Sequence, residues 1–184
     1  MLKEDFHVGS AETSAMESGL MSSRIGLGFD IHRLVPGKGF RLGGLEVPGE
    51  LRTEGHSDAD PLLHALVDAL LGAAARGDIG EHFPDTDARW KGVDSRIFVE
   101  KAKKMVEEAG LTIGNVDATV FLERPKLGPL KKEIRKVIAE LLQIDVRNVS
   151  VKAKTLEGLG SIGTSKAVAA HVGIMLHEPP GAAP

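Results

Sequence analysis

The chain has 184 residues, 42% hydrophobic and 27% charged, which suits one globular domain with a moderate core and would leave two domains cramped. Its net charge of -3 offers no broad basic field for nucleic acid or anionic lipid, so any phosphate must be held locally, by a cation, backbone N–H groups or a few lysines. Cysteine is absent, which excludes disulfides and thiolate metal sites, leaves His, Asp and Glu as the possible metal ligands, and suits a reducing cytoplasm.

Residues 1–22 are rich in Ser, Ala, Met and Glu without a sustained period, and are expected to be a disordered leader or an expression remnant. Glu4, Asp5, His7 and Glu12 stand where a signal peptide would be continuously apolar, and no run approaches the roughly 20 apolar residues of a bilayer span, so a soluble, unexported protein with no membrane partner is expected. A domain at 23–178 and a flexible tail at 179–184 follow. Ser23 to Ile31 is apolar and glycine-interrupted, as in a strand whose backbone something else approaches closely. Phe40-Arg41-Leu42 and Leu45-Glu46-Val47 flank Gly43-Gly44 and predict a tight hairpin. Asp60-Pro61 supplies an N-cap and a first-turn proline, and Leu62, Leu63, Leu66, Val67, Leu70 and Leu71 repeat at helical spacing to about Arg76.

Asp78 to Trp90 has no period and reads as an ordered loop or a mobile lid. The apolar stripe Ile97, Phe98, Ala102, Met105 and Val106 predicts a helix over Asp94 to Ala109, stopped by Gly110. Val116 to Leu122 reads as a strand, Pro129 to Leu142 as a helix with a solvated Lys/Glu face, and Val149 to Lys154 as a strand before a glycine-rich turn at 158–163. Lys166 to Leu176 is ambiguous: its alanines favour helix, its Val/Ile content and position favour a closing strand. The interleaving predicts an α/β or α+β domain with one layered sheet.

Four constellations carry chemistry. Asp30 and His32, two apart on an extended chain, face the same side and can grip one ion; their bland reading is a polar strand end. His64 falls at the fourth helical position if Asp60 is the cap, where a lone histidine is more often a boundary residue. Together with Asp30 and His32 it makes three sulfur-free ligands, the number used by a zinc site whose fourth position stays open. Asp68, one turn on, can hold the imidazole's other nitrogen or face water. Gly77-Asp78-Ile79-Gly80 through Phe83-Pro84-Asp85-Thr86-Asp87 suits sugar hydroxyls, or is a solvated acidic turn. Lys152-Ala153-Lys154-Thr155-Leu156-Glu157-Gly158 delivers lysines, a hydroxyl and a carboxylate into a turn whose N–H groups can meet phosphate, without the order of a P-loop.

Gly28-Phe29-Asp30-Ile31-His32, His56-Ser57-Asp58-Ala59-Asp60, Leu63 to Gly72, Gly77 to Gly80, Phe83 to Asp87 and Gly114-Asn115-Val116-Asp117 together resemble the 2-C-methyl-D-erythritol 2,4-cyclodiphosphate synthase family over about residues 23–176. The resemblance implies an α+β sandwich with a single mixed sheet and helices on one face, assembled as a cytoplasmic homotrimer with active sites between subunits. It implies cyclisation of a CDP-linked methylerythritol phosphate with release of CMP. By the same resemblance, Asp30, His32 and His64 hold Zn²⁺, Glu157 a second divalent cation (Mg²⁺ or Mn²⁺), and His56 and Thr155 steady the transition state. Ser57, Asp78, Ile79, Gly80, Phe83, Pro84, Asp85, Thr86 and Asp87 contact ribose and erythritol. Leu122, Pro125, Lys126, Leu127 and Gly128 receive cytosine from an adjacent subunit, and Lys154 and Leu156 stand with Glu157 at the diphosphate.

Two positions depart from the family. Ser161-Ile162-Gly163-Thr164 replaces a Phe-x-Gly-Arg whose arginine lies near the threefold axis, so tight binding of an isoprenoid diphosphate there is not expected. Lys154 replaces a small hydroxyl residue and adds positive charge beside the phosphates. The rival readings are a zinc-dependent nucleotide-diphosphate hydrolase and a non-enzymatic, metal-stabilised trimeric binding module.

Overall fold

The computed structural model describes residues 22–179. The leader, up to residue 21, and the tail from residue 180 lie outside them. Strand β1 (Ser23–Pro36) runs past the expected Ile31, because its second half pairs with β4 (Leu51–Glu54), a short charged strand whose four residues carry no apolar alternation. The hairpin is β2 (Phe40–Leu42) and β3 (Leu45–Val47), turning on Gly43 and Gly44 at φ +61° and +77°, a region open to glycine without strain. The other strands are β5 (Thr112–Phe121), β6 (Val149–Lys154) and β7 (Ala167–His177).

They form one five-stranded mixed sheet in the order β4-β1-β7-β5-β6, antiparallel except for the β5–β6 pair. The ambiguous last segment is thus the central strand. Pairing with β1 on one side and β5 on the other satisfies its backbone in both directions, which outweighs the helix preference of its alanines.

Helices α1 (Pro61–Ala73), α3 (Arg96–Glu108) and α4 (Lys131–Leu142) lie over one face, with the short helices α2 (Ile79–His82) and α5 (Gly160–Gly163) in the connections. Leu62, Leu66, Leu70, Ile134, Ile138, Val172 and Leu176 are fully enclosed or nearly so between helices and sheet. The opposite face is bare: Ile25, Leu27, Phe29 and Ile31 of β1 are 71%, 65%, 56% and 49% exposed. Their alternates Gly26 and Gly28 face α1, and a Cβ on either would run into its backbone, at Ala69 and Ala65 respectively.

The start of α1 is fixed by Asp60, wholly buried. Its carboxylate accepts the N–H groups of Leu62 and Leu63 at 3.1 Å each and of Gly43 and Gly44 at 2.9 and 2.7 Å, tying helix cap and hairpin turn together. Replacing Gly28 by Ala forces a methyl group into the α1 backbone. We expect a loss of at least about 1–3 kcal/mol in urea denaturation, where Ala at exposed Gly49, which has open space around it, should cost far less.

Candidate metal centre and substrate cavity

Asp30 and His32 lie on the helix-facing side of β1, and His64 meets them from the second turn of α1. Asp30 Oδ2 is 3.0 Å from His32 Nε2 and 3.1 Å from His64 Nδ1, and the two ring nitrogens are 3.2 Å apart. Donors bound at about 2.0–2.1 Å in a tetrahedron sit roughly 3.3–3.4 Å from one another. The triangle therefore has the size of one face of a tetrahedral site, and its donors, one carboxylate and two imidazoles, fit a borderline divalent cation. The expected convergence of three ligands from two distant segments is what the geometry delivers.

The electrostatics agree. Burial alone would raise the Asp30 carboxyl, but hydrogen bonds and positive potential from His32 and His64 outweigh it and hold the group well below the usual carboxylate range. Burial would lower His32; the hydrogen bond and charge of Asp30, with a backbone hydrogen bond at Glu54, reverse this and raise it. The edge strand β4, which no hydrophobic period announces, thus supports His32 of the donor triangle through its last residue.

The triangle opens into a cavity of about 480 Å³ lined also by His56, Ser57, Ile79, Gly80, Pro84 and Asp85. Buried Phe83 stacks on Phe98 at 4.7 Å and meets Trp90 edge-on at 5.3 Å, pinning the segment after α1 to α3. That segment, expected as a loop or lid, contains α2 and a 3₁₀ turn, Ala88–Trp90. Asp78 caps α2 by accepting the Glu81 N–H at 3.0 Å. Asp87 caps the 3₁₀ turn and is engaged by the Arg89 guanidinium, with Thr86 exposed beside it. Asp68 accepts the Ile79 N–H at 2.8 Å and is not the partner of His64, whose Nε2 instead meets the hydroxyls of Ser57 and Ser95, each at 2.9 Å. Trp90, Phe98 and Ser95 were invisible as site residues in the sequence, since each reads there as an ordinary core or helix-start residue.

The remaining candidates gather elsewhere. Leu122, Lys126, Leu127, Gly128, Lys154 and Thr155 line a second cavity of about 270 Å³ between β5, β6 and the start of α4, with Pro125 at a cis peptide bond beside it. Glu157, exposed and at φ 51°, accepts the Thr155 hydroxyl at 2.6 Å, while the Leu156 N–H goes to Glu123. Along the sheet, Asp30 pairs with Ala170, Ala170 with Val120 and Val120 with Ala153. Three strand spacings of about 4.8 Å put Ala153 roughly 14 Å from Asp30. Within one chain the two groups of residues therefore lie at opposite sides of the sheet.

The YgbB family model matches residues 23–177. A 2-C-methyl-D-erythritol 2,4-cyclodiphosphate synthase of Solibacter usitatus (strain Ellin6076) is 50% identical over 155 residues, covering 84% of this chain and 98% of the relative. The solved structure of IspF from Plasmodium falciparum in complex with CDP matches with a TM-score of 0.75 and 37% identity, over 85% of this chain and 96% of that one. The bifunctional IspDF from Campylobacter jejuni matches with a TM-score of 0.80 and 34% identity; 89% of this chain is covered, against only 44% of the longer protein.

The donor triangle has a pH signature. Lowered Asp30 contributes stability that is in place above its unfolded value near 3.9 and is lost only as pH falls through its lower folded value. Raised His32 contributes stability that is in place below about pH 6.5 and is lost as pH rises through its higher folded value. A cation replaces the His32 proton, so its binding strengthens as pH rises. Between about pH 5.5 and 8.5, the gain in Tm on adding a divalent cation to chelator-treated protein should therefore grow. A gain that is absent, or flat with pH, would contradict the centre.

Proposed function

The chain belongs to the YgbB family, the 2-C-methyl-D-erythritol 2,4-cyclodiphosphate synthases, and from that premise we propose the chemistry its residues perform. The reaction takes 4-diphosphocytidyl-2-C-methyl-D-erythritol 2-phosphate to the cyclic diphosphate. An oxygen of the 2-phosphate attacks the β-phosphorus of the same molecule, the bond from that phosphorus to the bridging oxygen breaks, and CMP leaves with that oxygen. The enzyme is thereby a phosphorus–oxygen lyase of isoprenoid precursor biosynthesis. No water is activated, so no general base is needed.

The observation that carries this reading is the donor triangle of Asp30, His32 and His64 at the wall of a cavity sized for a small phosphorylated ligand. We assign the triangle to Zn²⁺, which when bound neutralises and polarises phosphate oxygens as a Lewis acid. Glu157 would hold the second cation, Mg²⁺ or Mn²⁺. The chain's own task is positioning: at the first cavity His56 steadies the transition state, Ser57 and Asp85 hold the methylerythritol part, and Gly80 offers a backbone N–H to ribose beside Ile79, whose own N–H is held by Asp68. Lys126 and Lys154 bring positive charge to the second cavity, beside the Thr155 hydroxyl. Holding two anionic phosphates in a near-attack geometry can supply about 7–11 kcal/mol of the barrier.

The separation of the two cavities supports active sites formed between subunits. In a cyclic assembly the second cavity of one protomer can face the metal cavity of the next, and the bare strip of Ile25, Leu27, Phe29 and Ile31 supplies an apolar surface to bury. We propose a homotrimer on this basis. Among the described residues no helix is long and apolar enough to cross a membrane, and we place the enzyme in the cytoplasm.

Phosphorus NMR of the zinc-loaded protein with its CDP-linked 2-phosphate substrate should show a cyclic diphosphate and CMP; a linear phosphate product would mean a hydrolase, and no turnover a binding module. Subunit sharing has its own test. His64→Ala and Thr155→Ala proteins, each inactive, should regain up to about a quarter of wild-type activity when unfolded, mixed equally and reassembled, because about one site in four then pairs two intact halves. No recovery would place each site within one chain.

A further inference from the structure

Helix α3 begins at Ser95, a residue type that ordinarily caps a helix by accepting an N–H from its first turn. Here it makes no such bond, although it is wholly buried. Its hydroxyl is diverted. Ser95 Oγ donates to Asp58 Oδ1 in a very short hydrogen bond and lies 2.9 Å from His64 Nε2, so that a chain Asp58, Ser95, His64 leads from the protein interior to the metal triangle.

We propose that Ser95, with Asp58 behind it, is a positioning residue that fixes the tautomer and ring orientation of His64, so that Nδ1 presents its lone pair to the cation. The proposal rests on reading Asp30, His32 and His64 as metal ligands. A hydroxyl has one proton. Asp58 as a carboxylate can only accept, so the Ser95 proton lies on the Asp58 side and Ser95 can offer His64 only lone pairs. Nε2 of His64 therefore carries a ring proton, which leaves the Nδ1 lone pair for a cation in the triangle; without one, the contact of Nδ1 with Asp30 Oδ2 at 3.1 Å takes a proton on Nδ1. Ser57 Oγ also lies 2.9 Å from Nε2; it takes the Ala59 N–H at 3.2 Å, which holds it in place.

Two further observations point the same way. Asp58 Oδ2 is buried without a hydrogen-bond partner, so Ser95 is the one side-chain hydroxyl that offsets the carboxylate's desolvation. Ala59, between Asp58 and Asp60, sits at φ 54°, a left-handed conformation costly for alanine. That kink lets successive carboxylates serve opposite ends of the problem, Asp60 capping α1 while Asp58 reaches α3.

Three readouts test the relay on the full chain. Nitrogen NMR of ring-labelled, zinc-loaded protein should find wild-type His64 with its proton on Nε2, and Ser95→Ala should shift the Nε2–H signal as its acceptor is lost. Competition with a chelator should show Zn²⁺ affinity falling roughly 10- to 100-fold in Ser95→Ala. With zinc saturating, kcat should fall more than KM rises, since the substrate contacts remain. Should Ser95→Ala fail to fold with its carboxylate stranded, the double variant Ser95→Ala/Asp58→Asn carries the same expectations. A wild-type Nδ1–H tautomer, or variants that bind zinc as tightly as wild type, would overturn the relay alone. Wild-type protein that binds no zinc would overturn the metal reading itself.

Discussion

The close approach of helix α1 to strand β1 is the constraint on which the centre depends. Gly26 and Gly28 remove the two Cβ atoms that would stand between the helix backbone and the strand. Only with the helix this low does a residue in its second turn come within about 3 Å of two residues of the strand. Tetrahedral coordination tolerates little error, a few tenths of an ångström in ligand position, so a helix displaced by one methyl radius would leave His64 out of reach.

Helix height is one coordinate; its start and rotation are others, and Asp60 sets both. Four backbone N–H groups, two from the helix and two from the Gly43-Gly44 turn, converge on a carboxylate with no exposure to solvent. Burial raises the Asp60 carboxyl and the N–H groups oppose that rise; their hydrogen bonds lock the first turn of α1 to a hairpin distant in sequence. The neighbouring residues of the same short segment then do different work. Ser57 and Asp58 surround the far nitrogen of His64, and His56 and Ser57 line the cavity. The five residues His56 to Asp60 thus cap the helix, hold the far nitrogen of His64 and line the cavity.

The distribution of charge and apolar surface is what supports the proposed assembly of the chain. The donor triangle and the lysine-rich second cavity lie toward opposite edges of a sheet whose helix-free face is apolar along β1. In the proposed trimer two neighbouring copies can bring these groups edge to edge, which the interior of one folded domain keeps apart.

Much of the fold was legible along the chain. Asp60-Pro61 and the leucine spacing announced α1, Gly43-Gly44 announced the hairpin, and the alternation of Val149 to Lys154 announced β6, because each of these signals is local: a cap, a turn, a two-residue period. Asp30, His32 and His64 were legible as ligand types, and their family pattern said that they belong together. The sheet order, the strand β4, the choice of strand over helix for Ala167–His177 and the partner of His64 were not. Each depends on which distant backbone or side chain supplies the missing hydrogen bond, and that is a property of packing. Asp68 stood at the right helical spacing to hold His64, and Ser95 looked like a plain cap; only the placement of α3 against α1 exchanged their roles. The sequence by itself determined which groups could bind a cation and a phosphate, since chemistry resides in the side chains. Tertiary structure decided which of them meet, since a donor distance of 3 Å is reached only when glycine, cap and register act on the same atoms.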